Sequence, residues 1–136
     1  MTTRISTSAA ETRAIATELA HGLASGSVLI LTGDLGAGKT EFVKGLAKGL
    51  RIDDSVTSPT FTLVHEYRGD LVTLYHLDLY RLNSEKELDE IGFDDCLSAG
   101  GICAIEWGNK YQSRLPKGYL EVRLTIGDNS ERIIEW

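Results

Sequence analysis

Several things are scarce in this sequence, and each shortage removes a class of protein. The two cysteines, Cys96 and Cys103, stand seven positions apart among apolar neighbours. That is neither the density of a secreted disulfide scaffold nor the spacing of a metal site, so both read as buried free thiols. No stretch approaches the ~20 apolar residues of a membrane span, and the N-terminus lacks the apolar core of a secretory signal, so a cytoplasmic protein without membrane contact is expected. Positive charge is short as well: 14 basic against 20 acidic residues leave a formal net charge of −6. The basic residues are spread along the chain and form no stripe, which opposes direct binding to nucleic acid; RNA, if involved, would be held by a partner. No internal repeat or low-complexity linker is present, and one domain is expected over residues 1–136.

What is present is organised around Gly33-Asp34-Leu35-Gly36-Ala37-Gly38-Lys39-Thr40, which matches G-x-x-x-x-G-K-[ST] at every fixed position. It follows the apolar run Val28 to Thr32 and precedes a helical pattern of Phe42, Val43, Leu46, Ala47 and Leu50 over about 39–50. A buried strand before and a helix after are the setting a phosphate-binding loop needs. Glycines let the backbone turn N–H groups inward, toward an anion at a helix N-terminus. Lys39 is expected to reach the β- and γ-phosphates, and the Thr40 hydroxyl to ligate Mg²⁺. Gly33, Asp34, Gly36, Ala37, Gly38 and Glu41 complete the expected nucleotide-binding stretch.

The flanking segments follow in order. Ser8-Ala9-Ala10-Glu11 is a capping-box pattern, and Ile15, Leu19 and Leu23 recur at helical spacing, which predicts a helix over about 8–23. Residues 52–60 have turn composition, and Pro59 keeps Ser58 out of helical geometry. Such a hydroxyl-rich segment after a phosphate loop reads as a switch or as a plain surface loop; Thr60 is the candidate phosphate contact, with Thr57 and Ser58 behind it. The runs 61–67 and 71–77, separated by Arg68-Gly69-Asp70, predict a hairpin. At its end His76, Asp78 and Tyr80 alternate onto one face and, with Arg81, form a polar cluster at a strand terminus. His21 and His65 lack such company and read as structural. Ser84-Glu85-Lys86-Glu87 predicts a second capped helix, through Leu88 and Ile91 to Gly92.

Ile102-Cys103-Ala104-Ile105-Glu106 is four apolar residues ending in an acid, the pattern of a second buried strand whose carboxylate faces the Mg²⁺ beside the phosphate loop. Glu106 is expected to hold the metal through water or to orient the attacking water. Trp107 follows it and stacks on a base, on a partner or in the core rim. Residues 119–126 alternate and return through Arg132-Ile133-Ile134, predicting a terminal hairpin. Together these elements predict an α/β fold: a P-loop NTPase-like three-layer sandwich, with a mixed, mainly parallel sheet, helices on both faces and antiparallel hairpin additions. The guanine-reading Asn-Lys-x-Asp is absent, since Asn109-Lys110-Tyr111-Gln112 lacks the acid. ATP is therefore favoured over GTP.

The loop at 33–40, Ser58-Pro59-Thr60-Phe61-Thr62-Leu63-Val64, His76-Leu77-Asp78-Leu79-Tyr80-Arg81 and Ile105-Glu106-Trp107, in that order, resemble the TsaE (YjeE) family over nearly the whole chain. The resemblance implies a small ATPase of bacterial tRNA threonylcarbamoyladenosine biosynthesis. It would hydrolyse ATP to ADP and phosphate so that a TsaD–TsaB pair turns over, touching tRNA only through that complex. It implies Lys39, Asp78 and Glu106 as the catalytic set, Thr40 and Glu106 as the metal-associated residues, and Thr60 and Asp78 near the γ-phosphate. Trp107 would lie beside the site, with the segments of Ser8 and Arg132 flanking the adenine. Many members continue into a further helix or tail where this sequence ends at Trp136. Two other classes share the loop: a small-molecule kinase, which needs an acceptor pocket and a lid for which no insertion is long enough, and a non-hydrolysing nucleotide-dependent binding module.

Overall fold

A computed structural model describes residues 1–59 and 63–136. Its elements in chain order are β1 (Thr3–Ser6), α1 (Ala9–His21), β2 (Val28–Thr32), α2 (Lys39–Gly49), β3 (Val64–Arg68), β4 (Thr73–Asp78), α3 (Glu85–Glu90), α4 (Phe93–Ser98), β5 (Ile102–Glu106), β6 (Leu120–Ile126) and β7 (Arg132–Glu135). A 3₁₀ segment, Gly108–Arg114, follows β5. The strands form one sheet in the order β1-β7-β6-β2-β5-β4-β3. Its four central strands, β6, β2, β5 and β4, run parallel, and antiparallel pairs extend both edges.

The parallel centre follows from sequence that has no polar face to show water. Val28, Leu29, Ile30 and Leu31 are all buried, as is every residue of β5. Because strand side chains alternate, Leu29, Leu31, Ile102 and Ala104 pack beneath α1 and α2, while Val28, Ile30, Cys103 and Ile105 pack against Leu88, Phe93 and Tyr111 on the opposite face. Helices thus cover both faces, giving the three-layer α/β architecture expected.

Helix α1 begins where Ser8 Oγ accepts a hydrogen bond from the Glu11 amide at 3.1 Å. It lies so close to α2 that a Cβ on Gly45 would sit 2.2 Å from the Arg13 carbonyl oxygen. Two local expectations need correction. The short strand β1 was not anticipated: its alternating, mostly exposed residues form a strand only because β7 pairs with it. The capping box at Ser84 is half formed: Glu87 Oε1 accepts from the Asn83 amide at 3.0 Å, but no side chain caps α3. Both cysteines are free, Cys103 buried and Cys96 half-buried.

Candidate active site

The loop between β2 and α2 turns on glycines. Gly33, Gly36 and Gly38 have φ of 151°, 83° and 101°, values that L side chains rarely adopt. At Gly33 space is also decisive, since a Cβ would lie 2.4 Å from the Leu124 carbonyl oxygen of β6. Gly38 is the N-cap of α2, and no side chain caps that helix end. The helix therefore presents its first-turn amides, and the positive end of its dipole, to whatever lies before the loop.

A cavity of about 420 Å³ opens there, lined by Gly36, Gly38, Lys39, Thr40 and Glu41 of the loop and α2, by Asp78, Tyr80 and Arg81 at the end of β4, and by Glu106 and Trp107 at the end of β5. Ser58 and Leu35 complete its wall. It sits at the C-terminal ends of adjacent parallel strands, the place where open α/β sheets bind ligands. The parallel register sets Asp78 directly beside Glu106 and His76 beside Ala104.

Lys39, Asp78 and Glu106 are each only 5–6% exposed. The Lys39 ammonium donates to the Gly33 carbonyl at 2.7 Å, stands 3.9 Å from Glu106 Oε1 and lies 4.5 Å from the centroid of the Trp107 ring. The other carboxylate oxygen of Glu106, Oε2, is 2.6 Å from His76 Nε2. Asp78 Oδ1 accepts from the Tyr80 amide at 3.0 Å, which closes the turn after β4. Trp107 takes a left-handed φ of 63°, rare for a bulky residue, and sets its ring 5.0 Å from that of Tyr80. Lys110, part of the failed guanine motif, instead donates to the carbonyls of Leu79, Tyr80 and Leu82 at 3.2, 2.9 and 2.7 Å. That clamp fixes the post-β4 turn to the segment following β5.

Glu41 lies on the rim, paired with Arg13 at 2.6 Å and Lys44 at 3.2 Å. The Arg13 hydrogen bond, more than the charge of Lys44, holds its carboxyl below the usual carboxylate range. Beyond it a cavity of about 250 Å³ shares Gly36, Gly38 and Glu41 and adds Ser8, Thr12, Ser130 and Arg132. Arg132 donates to the Gly36 carbonyl at 3.1 Å, tying β7 to the loop. On the other side of Lys39, Gly33 and Asp34 line a cleft of about 130 Å³ with Trp107 and Asn109. Ala37 is buried under the loop.

The expected residues therefore gather in three adjoining hollows around one loop, with Lys39, Thr40, Asp78, Glu106 and Trp107 in the largest. Ser8 and Arg132 stand together in the second, although they are far apart in sequence. Thr60 lies outside the described residues. His65 is structural, as expected: its Nδ1 is 2.9 Å from the Tyr67 hydroxyl and 3.2 Å from the Thr57 carbonyl, which pins Thr57 to β3. Sequence reasoning placed His76 with Asp78 but missed its partnership with Glu106. The available signal was that both precede a turn at the end of an apolar strand, as neighbouring parallel strands do.

The wall of the largest cavity carries the hydroxyls of Thr40, Ser58 and Tyr80, the carboxylates of Asp78, Glu106 and Glu41, the last held on the rim by Arg13 and Lys44, and the cations of Lys39 and Arg81. The pair of Asp78 and Glu106 with the Thr40 hydroxyl suits Mg²⁺ carried in on phosphates, because Mg²⁺ binds through one or two carboxylates, waters and substrate phosphates.

Comparison with known proteins gives a consistent match. The family model described as "Threonylcarbamoyl adenosine biosynthesis protein TsaE" matches residues 6–134. The tRNA threonylcarbamoyladenosine biosynthesis protein TsaE of Treponema pallidum is 45% identical over 130 residues, covering 96% of each chain. That of Bacillus subtilis is 43% identical over 124 residues, covering 91% of this chain and 77% of its own. The crystal structure of Bacillus subtilis YdiB superposes with a TM-score of 0.81 at 37% identity, covering 98% of this chain and 82% of that one.

Proposed function

Because the chain belongs to the TsaE family, we propose that it is the ATP-hydrolysing subunit of the cytoplasmic machinery that makes threonylcarbamoyladenosine in tRNA. In that role it converts ATP to ADP and phosphate and sustains turnover of a TsaD–TsaB complex. The observation that carries the reading is the convergence of Lys39, Thr40, Asp78 and Glu106 on one cavity at the mouth of a glycine loop.

The chemistry follows from that arrangement. The loop amides and Lys39 bind the β- and γ-phosphates, and Lys39 offsets charge that grows on the transferring phosphoryl oxygens. Thr40 and Glu106 would hold Mg²⁺, which when bound would supply positive charge to offset that of the phosphates. Phosphoryl transfer needs positioning more than covalent chemistry, so the carboxylates of Asp78 and Glu106 act by orienting the attacking water. The hollow lined by Ser8, Thr12 and Arg132 adjoins the phosphate site and receives the adenosine end. The net charge of −6 suits a subunit that leaves RNA to its partners.

Incubating the purified protein with ATP and Mg²⁺, alone and with TsaD–TsaB, tests this. Phosphate release that rises with the partners is expected. Phosphate appearing on a small-molecule acceptor would replace the ATPase with a kinase, and tight ATP binding without release under either condition would leave a nucleotide-dependent binding module.

A further inference from the structure

The imidazole of His76 is fully buried on β4. Its Nε2 meets Glu106 Oε2 at 2.6 Å, and Nδ1 has no hydrogen-bond partner among the described residues. Burying an unpaired polar nitrogen costs free energy, and an aliphatic side chain like that of Leu74, two residues earlier on the same face, would fill the position without that cost. The cost is offset only by something an imidazole does there and a leucine does not.

The geometry identifies it. An ionised carboxylate only accepts, so Nε2–H is the donor, and a short charge-assisted bond fixes which oxygen of Glu106 turns into the sheet. The register places His76 beside Ala104, two residues before Glu106 on the same face of β5, so the ring supports the carboxylate from beneath. Oε1 is then the oxygen left toward Lys39, at 3.9 Å, on the cavity side. A glutamate at this place has one more rotatable bond than an aspartate and would otherwise sample several orientations. The restraint comes from a residue that does not itself line the cavity.

We propose that His76 is the positioning residue of Glu106, holding its carboxylate so that one oxygen faces the metal and the attacking water. This rests on the reading of Glu106 as the metal-associated acid of an ATPase. Hydrogen bonds that orient a ligating carboxylate are worth about 10- to 100-fold in metal affinity or activity.

The test uses His76→Leu, which removes the donor, and His76→Gln, which keeps an N–H within reach of Glu106, each alone and combined with Glu106→Gln. The readouts are affinity for a fluorescent ATP analogue with and without Mg²⁺, and phosphate release in the presence of TsaD–TsaB. His76→Leu is expected to lower release and the Mg²⁺-dependent gain in affinity by about tenfold or more while metal-free binding stays unchanged. His76→Gln should recover most of the loss, and neither change should matter further once Glu106 is glutamine. The proposal is overturned if the gain in affinity survives in His76→Leu, if metal-free binding falls in parallel, or if the same loss recurs in the Glu106→Gln background. Should His76→Leu fail to fold, His76→Asn replaces it, being too short to reach Glu106. If wild type binds Mg²⁺-ATP but releases no phosphate even with partners, the ATPase reading falls, and the Mg²⁺-dependent affinity alone decides the role of His76.

Discussion

Asp78 and Glu106 are register partners at the C-terminal ends of adjacent parallel strands, two nearly buried carboxylates held side by side. Their partners differ. Glu106 is set between His76 and Lys39, whereas Asp78 accepts from the amide of Tyr80 and so belongs to the turn after β4. At 5% exposure Asp78 offers a partner little surface. On the proposed role of Asp78 in positioning the nucleophile, Asp78→Asn is expected to lower ATP hydrolysis at least about tenfold. Complex formation with TsaD–TsaB, measured by co-elution, should be unchanged. Intact hydrolysis with lost co-elution would reverse the assignment.

The ammonium of Lys39 lies between the Gly33 carbonyl, Glu106 and the face of Trp107. If it turns to the phosphates when ATP binds, the indole loses a cation over its face. In a Trp136→Phe background, which leaves Trp107 as the sole indole, Mg²⁺-ATP is expected to change the fluorescence intensity. Lys39→Ala should abolish that change and weaken nucleotide binding at least about tenfold, through loss of a charge-assisted phosphate contact. A full fluorescence response in Lys39→Ala would show that Trp107 senses the nucleotide by another route.

Much of this site was legible because its signals are local. The glycine loop, the apolar strand before it and the helix after it are contiguous, and strand periodicity alone carries Glu106 to the end of β5. What depends on pairing between distant segments was not legible. His76 and Glu106 are 30 residues apart, and their bond requires that β4 and β5 be neighbours in parallel register. Ser8 and Arg132 meet at the loop only because β1, too short and polar to announce itself, pairs with β7. The lysine of Asn109-Lys110 illustrates the same limit, since its three carbonyl partners all lie in the turn after β4.

The packing of α1 on α2 sets how firmly the loop is anchored, and Gly45 is the closest approach. A methyl group there would meet the Arg13 carbonyl at 2.2 Å and the Ala16 Cβ at 2.7 Å, backbone and a short side chain that have no way to swing aside. Gly45→Ala is expected to destabilise the fold by about 1–3 kcal/mol or more, the usual cost of overpacking, despite the better helix propensity of alanine. Urea denaturation should show a lower midpoint with an unchanged slope. A midpoint at or above wild type would mean that the two helices can separate without penalty.

Cys103 ties stability to alkaline pH. Its thiol is buried on β5, where desolvation, more than the neighbouring Cys96, pushes its pKa from an ordinary 9.0 up to about 12. Below pH 9 the thiol is protonated in both folded and unfolded chains, so its contribution to stability is fully present. As pH rises from 9 toward 12 the unfolded thiol ionises while the folded one holds its proton, and stability falls. The loss approaches on the order of 1 kcal/mol per pH unit in that window. Comparing urea midpoints of wild type and Cys103→Ala at pH 8 and pH 10.5 isolates it from the tyrosines and lysines that titrate in the same range. Wild type should lose more stability between the two than the alanine variant does. Equal losses would mean that the thiol ionises as readily in the folded protein as in the unfolded chain, and that the core beneath α4 admits water.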